Sequence, residues 1–230
     1  MRLGLEEAID ALKSGSPIMV YDDDSREGEV DLVYYAPAVD EDAIYTLRTM
    51  AGGLICYTTS SSVTRQLGIP WGDELLSKWP GLERLARKRL SYGDRPAFTI
   101  WVNYKGVKTG ISDRDRSLTI RMLDKVVELA VEGRAGEARE MFYREFQAPG
   151  HIPILAARGL SQRRGHTELT VSLALLAGLR PSLVIAEMLD KGVSLSIGKA
   201  ELISRETGWP LVYGREVVEV CRGEEVCWGS

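Results

Sequence analysis

Apolar residues at Leu5, Ala8, Ile9 and Leu12 recur at helical spacing, and Gly15 stands where such a helix should stop. The apolar run Ile18 to Tyr21 predicts a strand, and a second strand is expected from about Leu32 to Tyr35. Asp40 has the character of an N-cap for a helix ending at Gly52-Gly53. Leu54 to Thr58 predicts a strand containing Cys56, and Ser60 to Leu67 a short helix closed by Gly68. From Trp71 to Arg95 the pattern breaks into Trp71, Trp79, a Pro80-Gly81 turn and a basic stretch from Arg84 to Arg89. We read residues 71–95 as a surface excursion with one helix, too short for a core of its own.

Ala97 to Tyr104 alternates as a strand does, and the polar segment from Lys105 to Arg116 precedes a strong helix through Val131. A further helix covers roughly Gly136 to Phe146; Pro149-Gly150-His151 breaks it and opens the apolar stretch Ile152 to Ala157. Beyond it come a helix from about His166 to Leu176, a strand from Leu183 to Met188 and a helix from Ala200 to Arg205. A last strand from Trp209 to Val212 precedes a terminal helix from Gly214. Helices and strands mix without strict alternation or internal repeat. The expected fold is therefore α+β, a single layered domain over residues 1–230 with a mixed central sheet flanked by helices.

Composition narrows the function. At 230 residues, 44% hydrophobic and 27% charged, the chain fits one globular enzyme domain. A net charge of −4 argues against general nucleic-acid binding, which leaves a basic footprint. No apolar run approaches the ~18–20 residues that cross a bilayer, and the N-terminus leads straight into an amphipathic helix, so we expect no membrane partner and a cytoplasmic protein. Three cysteines make no secreted disulfide framework; Cys221 and Cys227 could pair but are read as free thiols. With only His151 and His166 present, one chain can build neither a three-histidine nor a four-cysteine zinc site. Any metal must lean on carboxylate oxygens with one or two imidazoles, which favours magnesium or manganese.

The charges then become informative. Between the first two strands lie six carboxylates, Asp22, Asp23, Asp24, Glu27, Glu29 and Asp31, around Arg26. Such crowding repels itself, and either a bound cation or solvation as an acidic turn makes it tolerable. The second segment is Arg163-Arg164-Gly165-His166-Thr167-Glu168, at a helix start. Free backbone N–H groups, the positive end of the dipole and a guanidinium fork make an anion site, although a basic helix start can equally be surface. If the fold joins the two segments, Glu27 and His166 would share a divalent cation while Arg163 and Thr167 hold a phosphate, the layout of a site for a small sugar phosphate. His151 follows a constrained Pro-Gly pair, and Glu187 is a carboxylate within an apolar strand, where burial would raise its pKa. Cys56 reads as core.

These residues resemble a known family. Tyr21 to Asp31, Ala51-Gly52-Gly53-Leu54-Ile55-Cys56, Pro149-Gly150-His151, Arg163 to Glu168 and Ala186-Glu187-Met188 are similar to motifs of 3,4-dihydroxy-2-butanone 4-phosphate synthases, in family order. The resemblance implies a fold shared with YrdC-like proteins and a magnesium-dependent conversion of D-ribulose 5-phosphate to the four-carbon phosphate and formate, for riboflavin. It implies Glu27 and His166 as metal ligands, and Arg26, Glu27, Asp31, Arg163, Arg164, Gly165, His166, Thr167 and Glu187 as substrate contacts. His151 and Glu187 are implied for catalysis, with Asp22, Glu29, Cys56 and Glu168 tuning acid–base steps. It further implies a homodimer with active sites at the subunit interface and, without a GTP cyclohydrolase II cysteine cluster, a monofunctional chain. Asp190-Lys191-Gly192 departs from the Asp-Asp-Gly of many relatives, and the 71–95 excursion looks archaeal.

The expected chemistry starts with a cation polarising the C2 carbonyl while a base removes the C3 proton; among candidate bases we rank His151 and Asp22 ahead of Glu187. Two rivals remain at this level. A metal-dependent phosphohydrolase or phosphotransferase would use the same pocket, but the chain has no glycine-rich phosphate loop and no obvious nucleophile. A YrdC-like nucleotide- or RNA-binding module would have to bring a polyanion against the acidic loop.

Overall fold

The computed structural model describes residues 3–86, 93–224 and 227. In chain order the elements are α1 (Leu3–Ser14), β1 (Ile18–Tyr21), β2 (Val30–Tyr35), α2 (Glu41–Thr46), β3 (Cys56–Ser60), α3 (Ser61–Leu67), α4 (Gly72–Ser77) and α5 (Glu83–Ala86). They continue with β4 (Phe98–Tyr104), α6 (Asp113–Val131), α7 (Ala135–Glu145), β5 (Phe146–Ala157), α8 (His166–Leu176), β6 (Ser182–Glu187), β7 (Leu189–Asp190), β8 (Val193–Ser194), α9 (Ile197–Thr207), β9 (Leu211–Tyr213) and α10 (Gly214–Cys221). Seven strands form one sheet in the order β4-β5-β3-β6-β2-β1-β9. It is mixed: β1 with β9 and β3 with β5 run parallel, and the other neighbours antiparallel.

The period of two along each strand divides the core into two layers. Val30, Leu32 and Tyr34 of β2 join Val184 and Ala186 of β6 against α2, α6 and α7. Val33 and Ile185 face the other way with Cys56, against α1, α8 and α10. Asp31 and Glu187 fall in the register of this second face, so both carboxylates arrive on the side of α8. Helix α8 is buried from His166 through Ala174, which explains why its sequence has no polar face.

Three expectations need correction. The 71–95 excursion carries two short helices, α4 and α5, with Trp79 and a Pro-Gly turn between them; the end of its basic stretch, residues 87–89, lies outside the described residues. Arg158 clamps the excursion to the sheet: its guanidinium lies 4.2 Å over the Trp71 ring and 3.0 Å from Asp73. Strand β5 starts at Phe146, ahead of the Pro-Gly pair. Pairing with β4 jumps from Ile152↔Val102 to Gln147↔Asn103, so residues 148–151 bulge out and Pro149 need donate no ladder hydrogen bond. Finally, Cys221 and Cys227 form a disulfide, because the turn after α10 brings their Cα atoms to 5.6 Å. Cys56 alone is free.

Candidate active site

The acidic connection between β1 and β2 is shaped by Asp22. Its buried carboxylate accepts from the backbone N–H of Glu29 (3.0 Å) and of Glu27 (3.1 Å), and from Arg26 Nη1 (2.9 Å). Asp23 turns the chain by accepting from Ser25 N–H, and Gly28, at φ +66°, takes the left-handed step that brings Glu29 back to β2. Arg26 Nη1 also lies 2.9 Å from Glu27. The loop's own guanidinium and amides therefore offset much of the repulsion that the sequence foresees.

His166 opens α8 and reaches this loop. Its Nε2 donates to the Glu29 carbonyl at 3.1 Å, which leaves Nδ1 facing Glu27 Oε2 at 3.4 Å and Asp31 Oδ1 at 3.7 Å. The two sequence segments thus meet. Burial disfavours the imidazolium, but Asp31, Glu27 and Asp22 outweigh it and push the His166 pKa up to about 9. Asp22, Glu27 and His166 offer ligand atoms all within 4.8 Å of one another. Asp31 Oδ1, beside them, is buried without a hydrogen-bond partner, an arrangement a cation would repair. Two to three carboxylate oxygens and one imidazole nitrogen fit a hard divalent ion that keeps open positions for water or substrate.

A cavity of about 290 Å³ opens from this point, lined by Glu27, Asp31, Cys56, His166, Thr167 and Glu187 among others. Asp31 and Glu187 are direct cross-strand partners. Burial, with Glu187 and Glu27 nearby, lifts Asp31 to about 7 against the opposing pull of His166. Burial also raises Glu187, as does Glu29, and the Leu54 N–H partly offsets this. The loop approaches Glu187 closely only because residue 53 is glycine: a Cβ there would lie 2.6 Å from the Glu187 carbonyl and carboxylate oxygens. Cys56 is a buried thiol on the same wall, and burial followed by Glu187 and Asp31 pushes its pKa well up, so it is neutral. The Glu29 carboxylate accepts from Ser194 of the β7–β8 hairpin, whose turn holds Lys191-Gly192.

The start of α8 is built by a capping arrangement. Glu168, fully buried, accepts from Arg158 N–H at 2.9 Å and Gly165 N–H at 3.3 Å and pairs with Arg163 Nη1. It thereby holds the Arg163 guanidinium beside the first turn of α8. Gly165 lets Arg163 and Arg26 converge; a Cβ would lie 2.4 Å from Arg163 Nη1 and 2.6 Å from Arg26 Nη2. Thr167 is buried in the cavity wall, while Arg164 is exposed and lines a second, larger cavity.

His151 is not brought to this cavity. It projects from the β5 bulge, is exposed, and is held by Asn103, which accepts from His151 N–H at 2.8 Å. Sequence reading overlooked Asn103, Ser194 and Arg158, because their roles depend on partners 48, 165 and 85 residues away, respectively. It also missed Asp94, which accepts from Arg26 Nε at 3.0 Å. Nothing in the local sequence distinguishes that aspartate from any surface carboxylate.

A cluster with cation-ligand geometry, carboxylates of raised pKa and an arginine-flanked helix start line one cavity, which suits metal-assisted proton chemistry on a small anionic substrate. A family model described as 3,4-dihydroxy-2-butanone 4-phosphate synthase matches residues 6–220. The chain is 39% identical to the synthase of that name from Archaeoglobus fulgidus, covering 95% of this chain and 94% of that one. It is also 39% identical to the one from Methanosarcina mazei, over 94% and 90% of the two chains. Among solved structures it is similar to a 3,4-dihydroxy-2-butanone 4-phosphate synthase in complex with two magnesium ions (TM-score 0.77, 27% identity, 97% and 98% covered). It is likewise similar to a two-domain synthase from A. baumannii (TM-score 0.76, 28% identity), spanning 96% of this chain and 58% of that one. The match runs through every residue from Asp22 to Glu187 that shapes the cavity, and the chain belongs to the 3,4-dihydroxy-2-butanone 4-phosphate synthase family, lyases of riboflavin biosynthesis.

Proposed function

We propose that this chain splits D-ribulose 5-phosphate into L-3,4-dihydroxybutan-2-one 4-phosphate and formate, with magnesium, or manganese in its place, held by Glu27 and His166. The observation that carries the reading is the meeting of Glu27 and His166 in the cavity that also holds Asp31 and Glu187. When bound, the cation supplies polarisation of a substrate carbonyl and offsets negative charge as the neighbouring C–H proton leaves. The products together have the composition of the substrate, so proton-carrying side chains and transient water suffice and no redox partner is needed.

Asp31 and Glu187 carry protons in this scheme, since both have raised pKa values inside the cavity. Asp22, with hydrogen bonds to two backbone amides and Arg26, shapes the loop. Arg163, Thr167 and the first amides of α8 hold the phosphate, with Arg26, Arg164 and Gly165 around them, and so supply orientation. Cys56 contributes a neutral wall, Glu168 holds Arg163, and Glu29 holds the His166 ring through its carbonyl.

The reading includes a cytoplasmic homodimer in which His151 serves the neighbouring subunit's cavity. Two features support it. His151 is exposed on a bulge next to edge strand β4, and the same strand exposes the stacked pair Phe98 and Trp101, Phe98 also lining the cavity. No helix among the described residues is long and apolar enough to cross a membrane. The test is incubation with D-ribulose 5-phosphate and magnesium, with and without a chelator. Chelator-sensitive formate release is expected; phosphate release or no reaction overturns the proposal.

A further inference from the structure

The guanidinium groups of Arg26 and Arg163 already share a carboxylate of the protein. Asp94, on the connection between α5 and β4, puts Oδ2 3.0 Å from Arg26 Nε and 3.9 Å from Arg163 Nε. Both guanidinium groups turn their Nε edge toward the same oxygen, and Arg163 Nε is buried and donates no hydrogen bond. The Nε edge is what a phosphate takes in a bidentate pair.

Four carboxylates, Asp22, Glu27, Asp94 and Glu168, surround these two guanidiniums. Two guanidiniums against four carboxylates leave this spot net negative, so a phosphate dianion arriving there is repelled, and the departure of one carboxylate lessens that repulsion. Three are committed. The Asp22 and Glu168 side chains are fully buried and hold backbone amides, and Glu27 faces His166. Asp94 differs: its side chain is 25% exposed, and its position in the excursion places it at the edge of the 580 Å³ cavity that Arg164, Arg215 and Arg222 also line.

We propose that Asp94 is a resident counter-ion of the Arg26–Arg163 pair, which a phosphate must displace, so that this aspartate sets how tightly the site holds phosphate. The proposal rests on the phosphate assignment to Arg163 under the proposed function. It treats Asp94 as a specificity residue: a monoanion or neutral sugar gains too little to expel it, and a dianion gains enough.

Inorganic phosphate, titrated against the full-length protein by phosphorus NMR, tests this without turnover. Asp94→Asn should tighten phosphate binding about tenfold, the effect of removing one adjacent like charge. Arg163→Ala should weaken it strongly, and Asp94→Asn added to Arg163→Ala should give no gain, which separates local displacement from a general change of net charge. If Asp94→Asn leaves binding unchanged or weakens it while Arg163→Ala still weakens it, Asp94 orients Arg26 and the displacement idea is overturned alone. If Arg163→Ala changes nothing, the phosphate assignment itself fails and the Asp94 proposal with it. Asp94→Ala, checked by thermal denaturation, guards against a folding defect of the amide.

Discussion

Asp31 and Glu187 stand directly opposite one another on β2 and β6, so two carboxylates share one end of the cavity across adjacent strands. Like charges in that position are destabilising, and burial raises both pKa values. Glu187→Gln should lower formate release by roughly 10²-fold or more, the usual size of a lost acid–base group. Its thermal stability should match or exceed the wild type, because a buried repulsion is removed. Turnover within a few-fold of wild type would remove Glu187 from the proton chemistry.

Glu27→Gln and His166→Ala should each abolish turnover and magnesium binding while leaving the circular dichroism spectrum unchanged. Magnesium titration by calorimetry checks the cause; either variant binding the ion as the wild type does would refute the ligand assignment.

The pH dependence has a definite sign. His166, raised from 6.5 to about 9, stabilises the metal-free fold fully below pH 6.5, and that contribution is lost as pH rises through about 9. Asp31, raised from 3.8 to about 7, acts in the same direction: its contribution is complete below pH 3.8 and gone above about 7. A cation must displace the His166 proton, so magnesium affinity should climb by up to about tenfold per pH unit below 9. Affinity that is flat from pH 6.5 to 9 would contradict the protonated state of His166.

Gly53→Ala should cost about 1–3 kcal/mol in denaturant unfolding, since its Cβ meets both backbone and carboxylate atoms of Glu187. It should also depress turnover. Gly198→Ala, in α9 with open space around it, is the control and should be neutral or stabilising.

If His151 serves the neighbouring subunit, His151→Ala and Glu27→Gln should each be inactive alone and recover activity on co-expression. In a random mixture half the dimers are mixed, and each has one intact site, giving about a quarter of wild-type turnover. No recovery, with dimers verified by light scattering, would place His151 in its own chain's site or outside catalysis.

Much of this was legible in the chain because its signals are local. Gly165-His166 marks the start of α8, and helical spacing from Leu5 to Leu12 marks α1. The acidic loop and the helix start announce themselves by charge. Asp31 was legible as a substrate contact through resemblance, but its pairing with Glu187 is a property of strand register between segments over 150 residues apart. The bulge that carries His151 escaped notice for the same reason. Pro149 reads as a breaker, and only β4 alongside turns it into an interruption within one long strand. Asp94 was invisible because its meaning comes entirely from Arg26 and Arg163.

The two amide hydrogen bonds that Asp22 accepts have a thermodynamic consequence. A crowded anionic turn would ordinarily be mobile until an ion gathered it, and the ion's affinity would then be reduced by the conformational freedom it had to quench. Here that freedom is surrendered when the protein folds, with Asp22 as the peg on which the turn is hung. A cation arriving later finds its oxygens and its imidazole standing in register, so below about pH 9 the main cost left to its binding is expulsion of the His166 proton, not the gathering of a loose turn.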